Sequence, residues 1–368
     1  MWSQKFVLFY FVCYNFINIY KIIHYMLITE ILKDALEKNA SDIILASWSY
    51  PSFKIDWEIS YFDNYPILDK EVFEKEIITI MSQYQKEKFM TNLELDFSID
   101  LKWYSRFRIN AFFQRMGYSM VFRPIKSTLP NFEELSLPSS VLNFTNKKSG
   151  LILITWSVWA GKSTTLASLL NYINKTKKKH IITIEDPIEF IYTSEKSLIE
   201  QREVWLNTLS FENGLKYALR QASDVIMVWE MRDIETFRLA LRAAETWNLV
   251  LATLHTSWTA RTISRIIDMF PADERDQITQ QLSESLIWIV WQDLIKRSDE
   301  KSGRVASVEI LVNTTSISNM IRKGTIHQIN SVIETSAQDG MITMNKYLEY
   351  LYSKKIISEE NFNKNFKN

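Results

Sequence analysis

The stretch Gly150–Lys175, GLILITWSVWAGKSTTLASLLNYINK, decides the fold of this chain. Its first six residues form an apolar run typical of a buried strand, and the residues from Lys162 onward have the pattern of a helix. With glycine at position 156, the letters between them would match G-x-x-x-x-G-K-S, a loop whose backbone N–H groups cradle phosphates. The strand–loop–helix order therefore predicts a phosphate-binding loop, with Lys162 reaching the β- and γ-phosphates and Ser163 holding Mg²⁺.

The segments after this loop continue the alternation of strands and helices. The strand-like runs are HIITIE, DVIMV and NLVLATLHT, and the helical runs between them are FENGLKYALRQA and IETFRLALRAAE. Such alternation is typical of a parallel sheet covered by helices. It predicts an α/β domain over residues 150–368, of which residues 271–368 are expected to be mostly helical.

Upstream, residues 26–126 have the pattern of a smaller α+β domain. An amphipathic helix comes first, and a helical stretch is expected at 69–91. The strand-like runs are SDIILA, SFKID, EISYF, LELDFSID, SRFRINAFF and YSMVFRPI. Three prolines between residues 124 and 138 are typical of a connecting segment, so residues 127–149 are predicted to be a linker.

Residues 1–25 form a doubtful extension with three interpretations. Residues 6–20 are apolar and aromatic, but Lys21 and His24 interrupt a run that is shorter than the about 20 residues of a membrane-spanning helix. A signal peptide is the second interpretation, although no small-residue cleavage site follows. The third is that translation starts at Met26, where the amphipathic pattern begins.

Charge and cysteine content exclude several classes of protein. Lys plus Arg and Asp plus Glu both total 43, so no overall basic field points to a nucleic-acid partner. With 46% hydrophobic and 23% charged residues, the chain is typical of a globular protein rather than a disordered one. Cys13 is the single cysteine, which excludes an intrachain disulfide and a four-cysteine zinc module.

Glycine is scarce and tryptophan is abundant in this chain. Only 7 of the 368 residues are glycine, whereas 12 are tryptophan; the usual glycine content is about 7%. Trp156 and Trp159 stand in the phosphate loop itself. Trp57 follows an aspartate between two strands, where Asp-Gly turns are favoured, and Trp247 follows a helix at the position where glycine is preferred. Trp229 ends the strand DVIMV just before an acid. None of these positions is expected to be a buried site that would favour an indole.

The motifs together carry a resemblance to a known family. The chain resembles the type IV pilus retraction ATPases, the PilT-type twitching-motility motors of the type II/IV secretion ATPase superfamily, over residues 26–360. The matching segments are the phosphate loop at 156–164, TIEDPIEF at 183–190, QREV at 201–204, DVIMVWEMRD at 224–233, LALRAAETWNLVLATLHT at 239–256 and LSESL at 282–286. The resemblance implies a RecA-like P-loop NTPase domain preceded by a PAS-like α+β domain, and an ATP- and Mg²⁺-dependent hexameric motor.

The resemblance also suggests why glycine is scarce. Glycine stands in that family where this chain has Trp48, Trp57, Trp156, Trp159, Trp229 and Trp247, and less clearly where it has Trp103, Trp205, Trp258, Trp288 and Trp291. We interpret the tryptophans as UGA codons that the organism reads as glycine; restoring all of them gives about 5% glycine, near the usual level. The competing hypothesis is a degenerate paralogue that no longer hydrolyses ATP.

Nucleotide binding and water activation are assigned to two segments. The resemblance implies that the nucleotide is held by Trp156, Ser157, Val158, Trp159, Ala160, Gly161, Lys162, Ser163 and Thr164. Hydrolysis also needs a water that is oriented and deprotonated, and a carboxylate suits that task. Glu185, Asp186 and Glu189 are candidates from the residues alone, and the resemblance gives the role of general base to Glu189.

Four more side chains receive roles from the resemblance. Glu230 corresponds to the Walker B acid and would join Ser163 in holding Mg²⁺, while His255 corresponds to a phosphate-sensing histidine. Arg108 and Arg123 correspond to paired arginines that reach the γ-phosphate from the smaller domain, although they could equally be surface charges. ATP would then draw the two domains together, and hydrolysis would release them.

Partners and location are implied by the resemblance alone. It implies a homohexamer, an inner-membrane pilus platform protein, a paralogous pilus ATPase as a further partner, no direct nucleic acid, and a cytoplasmic protein peripheral at the inner face of the cytoplasmic membrane. Ser318 and Lys323 depart from the family motif AIRNLIRE that is tied to retraction. The alternatives are a pilus-extension or type II secretion ATPase, or a non-hydrolysing regulatory subunit if the phosphate-loop tryptophans are real.

Overall fold

The computed structural model describes residues 27–56, 58–101, 105–125, 129, 131–156, 162–299 and 303–366. The extension at 1–25, Trp57, Trp103 and Ser157–Gly161 of the phosphate loop lie outside these residues. The chain divides into two units, Met1–Ser127 and Thr128–Asn368. No helix among the described residues is both long enough and apolar enough to cross a bilayer.

Alternating apolar residues build an antiparallel sheet in the N-terminal unit. Its strands lie in the order β3-β2-β1-β6-β5-β4. The elements are α1 (27–37), β1 (Asp42–Ala46), β2 (Ser52–Ile55), β3 (Glu58–Tyr61), α2 (Lys70–Val72), α3 (Gln83–Asn92), β4 (Glu94–Leu101), β5 (Ser105–Gln114) and β6 (Gly117–Ile125). The core is formed by one face of α1 and by inward residues of the strands, such as Phe53 and Phe107, which are fully buried.

The helical stretch expected at 69–91 is only partly correct. After α2 the chain forms a π-helical segment at Phe73–Ile77 and a 3-10 turn at Ile78–Ile80, and α3 starts anew. The reason for the new start is a capping box, in which the Ser82 hydroxyl accepts from the Gln85 backbone N–H and the Gln85 side chain accepts from that of Ser82.

The C-terminal unit contains a sheet covered by helices on both faces, as the alternation predicted. The strand order is β13-β12-β7-β11-β10-β8-β9, and every neighbouring pair is parallel except β12 with β13. The strands are β7 (Gly150–Trp156), β8 (His180–Glu185), β9 (Leu198–Glu203), β10 (Val225–Val228), β11 (Leu249–Leu254), β12 (Leu286–Lys296) and β13 (Arg304–Val312). The helices are α4 (Lys162–Thr176), α5 (Phe211–Ala218), α6 (Ile234–Glu245), α7 (Thr259–Met269), α8 (Arg275–Ser285), α9 (Thr315–Arg322), α10 (Ile329–Thr335), α11 (Met344–Ser353) and α12 (Glu359–Asn365).

The expectation that residues 271–368 are mostly helical was wrong for their middle part. Strands β12 and β13, of 11 and 9 residues, pair there as a long antiparallel hairpin, and β12 also lies parallel to β7. The run LIWIVW is almost continuously apolar, so periodicity cannot separate a buried strand from a buried helix. The segment forms a strand because β12 is buried between β7 and β13 and pairs with both.

Candidate functional site

The site residues lie where four neighbouring parallel strands end. Strands β7, β11, β10 and β8 are adjacent in this order, and their carboxyl ends share one edge of the sheet. Open α/β sheets bind ligands at this edge. The phosphate loop follows β7, His255 follows β11, Glu230 follows β10, and Glu185 ends β8. Residues distant in sequence are therefore brought together.

The first turn of α4 is bonded to the acidic loop that follows β8. The hydroxyl of Ser163 donates a hydrogen bond to a carboxylate oxygen, Oε2, of Glu189. Two residues further along α4, the buried hydroxyl of Thr165 donates to Oε1 of Gln292 on β12 at 2.7 Å. These bonds place the predicted Mg²⁺ ligand beside the predicted general base, on a helix that is anchored to the sheet.

Glu185 differs in environment from the two acids that follow it. It is 1% exposed, and its carboxylate accepts from the Thr183 hydroxyl at 2.6 Å, from Gln201 Nε2 at 3.1 Å and from the Glu189 backbone N–H at 3.3 Å. Burial raises the pKa of Glu185 to about 7, against the lowering effect of these hydrogen bonds. Asp186 is exposed and Glu189 is half-buried, so Glu185 is suited to hold the loop rather than to meet a ligand.

The segment QREV proves to support the acidic loop, a role that the sequence did not suggest. Strand β9 lies parallel to β8, with Thr183 opposite Gln201. The Gln201 side chain also donates to the Phe190 carbonyl at 2.8 Å and accepts from the Tyr192 backbone N–H at 3.0 Å. Glu203 accepts from the backbone N–H of Ile188 at 3.1 Å. The signal that could have revealed this is the position of QREV on the strand next to TIEDPIEF.

Glu230 connects the ends of β10 and β11. It is 8% exposed, and its Oε1 lies 3.3 Å from Nε2 of His255. Its Oε2 accepts from Arg232 at 2.5 Å, and this hydrogen bond raises the pKa of the Arg232 guanidinium. The structure thus places the predicted Walker B acid and the predicted sensing histidine in direct contact, and it adds Arg232 to the group.

The oxygen atoms at this edge are suitable ligands for a Mg²⁺ ion that binds together with a nucleotide. Among the described residues, no group of three or more His, Cys, Asp or Glu side chains is arranged to hold a metal ion by itself. Mg²⁺ is usually held by one or two carboxylates together with water and substrate phosphates rather than by an all-protein cage. Ser163 and Glu230 are donors of this kind, so their chemistry is suitable.

Two tryptophans near the site are buried, contrary to the expectation. Trp156, the last residue of β7, is 2% exposed and meets the His255 ring edge-on with centroids 5.3 Å apart. Trp229 is 5% exposed at the end of β10. Both belong to the core cluster beneath α4, because the strand ends point their side chains inward. An indole at these positions consequently fills space at the carboxyl ends of β7, β11, β10 and β8, which we call the nucleotide edge.

Other tryptophans occupy backbone conformations that favour glycine. An L-residue at positive φ is strained by about 1–2 kcal/mol, whereas glycine is not. The positive-φ tryptophans are Trp48 (65°), Trp205 (69°), Trp247 (87°) and Trp258 (66°). Asp56, directly before Trp57, has φ 50°, as the first central residue of a type I′ turn does. These angles support the interpretation of the tryptophans as glycines.

Crowding around Trp288 on β12 also supports the interpretation of the tryptophans as glycines. The Trp288 ring on β12 lies with its centroid 2.8 Å from that of Phe144, closer than the about 4.5–7 Å of ordinary aromatic pairs. An indole therefore has too little room there, and a residue without a side chain would remove the conflict.

Arg108 and Arg123 lie side by side in the N-terminal unit. They are directly opposite each other on β5 and β6, so both side chains leave the same face of the sheet. Arg123 is paired with Asp42 on β1 through two hydrogen bonds of 2.9 and 2.6 Å. The structure brings the two predicted arginines together, although the sequence separates them by a turn.

A family model described as "Type II/IV secretion system protein" matches residues 20–360. The chain belongs to this family. This confirms the resemblance drawn from the phosphate loop and the acidic segments. The predicted fold class, a smaller α+β domain followed by a RecA-like α/β domain, is confirmed.

Relatives that match most of this chain include proteins named for twitching motility and for pilus retraction. A "Twitching motility protein" of Neisseria gonorrhoeae is 47% identical over 297 residues, which cover 81% of this chain and 79% of the relative. The type IV pilus retraction ATPase PilT of Pseudomonas aeruginosa strain PAO1 is 43% identical over 334 residues, or 91% of this chain and 96% of that one. A crystal structure of the pilus retraction motor PilT with bound ADP superimposes with a TM-score of 0.84 at 41% identity, covering 90% of this chain and 95% of that chain.

Proposed function

We propose that this protein hydrolyses ATP and uses the energy to retract type IV pili. The observation that carries the proposal is the near-full-length similarity to a pilus retraction motor with bound ADP. The clustering of Ser163, Glu189, Glu230 and His255 at one sheet edge supports it independently, because it supplies the side chains that phosphoryl transfer to water needs.

The nucleotide and Mg²⁺ are held at the start of α4. The phosphate-loop motif implies that backbone N–H groups of residues 156–164 would surround the phosphates and that the Lys162 ammonium would neutralise charge on the β- and γ-phosphates, while the N-terminus of α4 adds a favourable dipole. Ser163 would provide an oxygen to Mg²⁺, and Glu230, which follows β10, would provide a carboxylate. Mg²⁺ itself neutralises charge that develops on the phosphates.

Glu189 acts as the general base on the attacking water. Of the three acids, Glu185 is fully buried and Asp186 points to solvent, whereas Glu189 is half-buried and reaches the Ser163 hydroxyl. The Glu189 carboxylate accepts the Ser163 hydroxyl in this structure; if Ser163 bound Mg²⁺ instead, this carboxylate would be available to accept a proton from water. Glu185, held by Gln201, keeps the loop in position.

Charge on the γ-phosphate is read by three further side chains. His255 contacts Glu230. Binding or loss of the γ-phosphate therefore changes whether each of these two side chains contacts the other or the phosphate. In this proposal Arg108 and Arg123, which lie opposite each other on β5 and β6, would supply positive charge that stabilises the transition state. Release of the phosphate removes these attractions, and a hinge in the linker near residues 126–138 converts the release into movement.

The working form is a homohexamer at the cytoplasmic face of the inner membrane, docked on a pilus platform protein and assisted by a paralogous pilus ATPase. Its relatives are named as pilus ATPases, which supports a place in the pilus machinery. Neither an extension or secretion motor nor a non-hydrolysing subunit is favoured by these names.

Phosphate release by the purified chain, made with glycine at positions 156 and 159 and called the parent below, tests the proposed site. Lys162→Ala is expected to abolish turnover, and Glu189→Gln to lower kcat by about 10²–10⁴-fold with nucleotide affinity retained. Glu195→Gln, at an exposed acid beyond the same loop, is the matched control and is expected to turn over normally. Normal turnover by Lys162→Ala would refute the site.

Complementation tests the direction of the motor. In a host that lacks its own retraction ATPase, the parent chain is expected to restore pilus retraction and the Lys162→Ala chain is not. If the parent restored pilus extension in an extension-deficient host instead, the assignment to retraction would be wrong while the ATPase assignment would stand.

A further inference from the structure

A cavity of about 430 Å³ lies beside His255, between the segment that follows β11 and one face of α7. The lining residues that could bind a ligand all carry polar side chains; they are His255, Thr256, Ser257, Arg261, Ser264 and Arg265. Because His255 also contacts Glu230, the cavity adjoins the nucleotide edge.

Hydrogen bonds fix the two walls of this cavity. The buried hydroxyls of Thr256 and Thr262 are hydrogen-bonded at 2.6 Å, which joins the segment after β11 to α7. Thr259, the first residue of α7, donates to the buried carboxylate of Glu309 on β13 from its backbone N–H at 3.0 Å and from its hydroxyl at 2.8 Å. Since Thr259 and Thr262 face the core, the opposite face of α7 lines the cavity.

Two arginines on this face of α7 have no carboxylate partner. Arg261 and Arg265 are exposed, and neither forms an ion pair or a hydrogen bond within the described part of the chain. Residues four apart on a helix have Cβ atoms about 5–6 Å from each other, and like charges at this spacing repel. In the same unit, by contrast, Arg238 pairs with Glu274 at 2.7 Å. An anion between Arg261 and Arg265 would remove their repulsion.

The carboxylates around the cavity are already paired. Asp268, at the far end of the cavity, lies 3.5 Å from a guanidinium nitrogen of Arg275. Glu230 contacts His255 at 3.3 Å and accepts a hydrogen bond from Arg232 at 2.5 Å. The charge of the two cavity arginines is therefore not offset by these acids.

We propose that this cavity binds inorganic phosphate on its way out of the nucleotide site. This proposal rests on the proposed ATPase function, which produces phosphate beside His255. The forked donors of Arg261 and Arg265 match phosphate oxygens. The hydroxyls of Ser257 and Ser264 add donors for an anion with more than two oxygens, which favours phosphate over a carboxylate.

Equilibrium dialysis of radiolabelled phosphate against the parent tests this binding directly. The parent is first saturated with Mg²⁺ and a non-hydrolysable ATP analogue, so that the γ-phosphate position is occupied and free phosphate has to bind elsewhere. Phosphate is expected to bind with a stoichiometry near one per chain. Arg261→Gln and Arg265→Gln should each weaken this binding about tenfold, because each removes charge-assisted hydrogen bonds. Arg242→Gln, which changes an exposed arginine of α6, is the matched control and should bind phosphate like the parent.

Rapid mixing with ATP separates cleavage from the release of phosphate. Acid quench measures cleavage, and a fluorescent phosphate sensor measures release into solution. Cleavage by Arg261→Gln should match that of the parent, because Arg261 lies beyond His255 and not at the phosphates. The delay between cleavage and release should lengthen about tenfold in this variant, because a charge-assisted contact that draws the phosphate away is lost.

Three results would overturn the exit site. They are the absence of phosphate binding to the saturated parent, parent-like phosphate binding by both arginine variants, and a loss of affinity for the ATP analogue with phosphate binding unchanged. The last result would assign the arginines to the nucleotide. Dialysis requires no turnover and cleavage is measured separately, so failure of the exit site leaves the ATPase assignment intact. Absence of cleavage by the parent would refute the proposed function itself.

Discussion

Trp247 offers a direct measurement of backbone strain. It follows α6 with φ 87° and is 82% exposed, so its indole gains little from burial. An L-residue in this conformation is strained by about 1–2 kcal/mol, and part of the gain from glycine is offset by its freedom in the unfolded chain. Trp247→Gly is therefore expected to raise the free energy of unfolding by about 1 kcal/mol, or the Tm of a unit of this size by about 2–4 °C.

Two matched variants separate strain from loss of the indole in the same thermal unfolding assay. Trp247→Ala removes the indole but keeps a Cβ at positive φ, so its Tm should stay near that of the parent. Leu209→Gly changes a residue that is 71% exposed and does not have positive φ, so its Tm should fall. A lower Tm for Trp247→Gly, or an equal rise for Trp247→Ala, would refute the argument.

Three further predictions concern the buried site and the decoding of tryptophan. The pKa of Glu185 is about 7 in the folded protein and about 4.3 in the unfolded chain. The free energy of unfolding should therefore fall by on the order of 3 kcal/mol as the pH rises between these two values. Urea titrations should show this decrease for the parent and not for Glu185→Gln. Thr165→Val removes the buried hydrogen bond to Gln292 and should destabilise the unit by about 1 kcal/mol in the same assay, with ADP affinity unchanged. The intact mass of protein made by its native host should lie below the 43.5 kDa of the printed sequence, whereas an equal mass would contradict decoding as glycine.

Much of the nucleotide edge could be predicted from the sequence because parallel strands impose it. Once DVIMV and LVLATL are recognised as parallel strands, the residues after them, Glu230 and His255, must lie at one edge of the sheet. Their contact at 3.3 Å follows from adjacency of β10 and β11. The phosphate loop could be placed for the same reason, since a helix returns from the end of β7.

What could not be predicted depends on contacts between distant segments. Whether LIWIVW is a strand is decided by its burial between β7 and β13, which periodicity does not reveal. The support of Glu185 by Gln201 depends on the register of β8 with β9.

The two hypotheses for the tryptophans, glycine decoded from UGA and real indoles in a degenerate paralogue, predict different structural features. If natural selection had fixed indoles, each should gain from burial and adopt an ordinary conformation, yet Trp48, Trp205 and Trp247 are exposed at positive φ. Degeneration should also have altered the polar network, whereas the Ser163–Glu189 and Glu230–His255 contacts are both intact. Glycine at these positions relieves the strain and would also open space beside His255, where Trp156 now lies. Only the glycine account explains strain, crowding and an intact acidic site together, so we expect phosphate release to require glycine at positions 156 and 159.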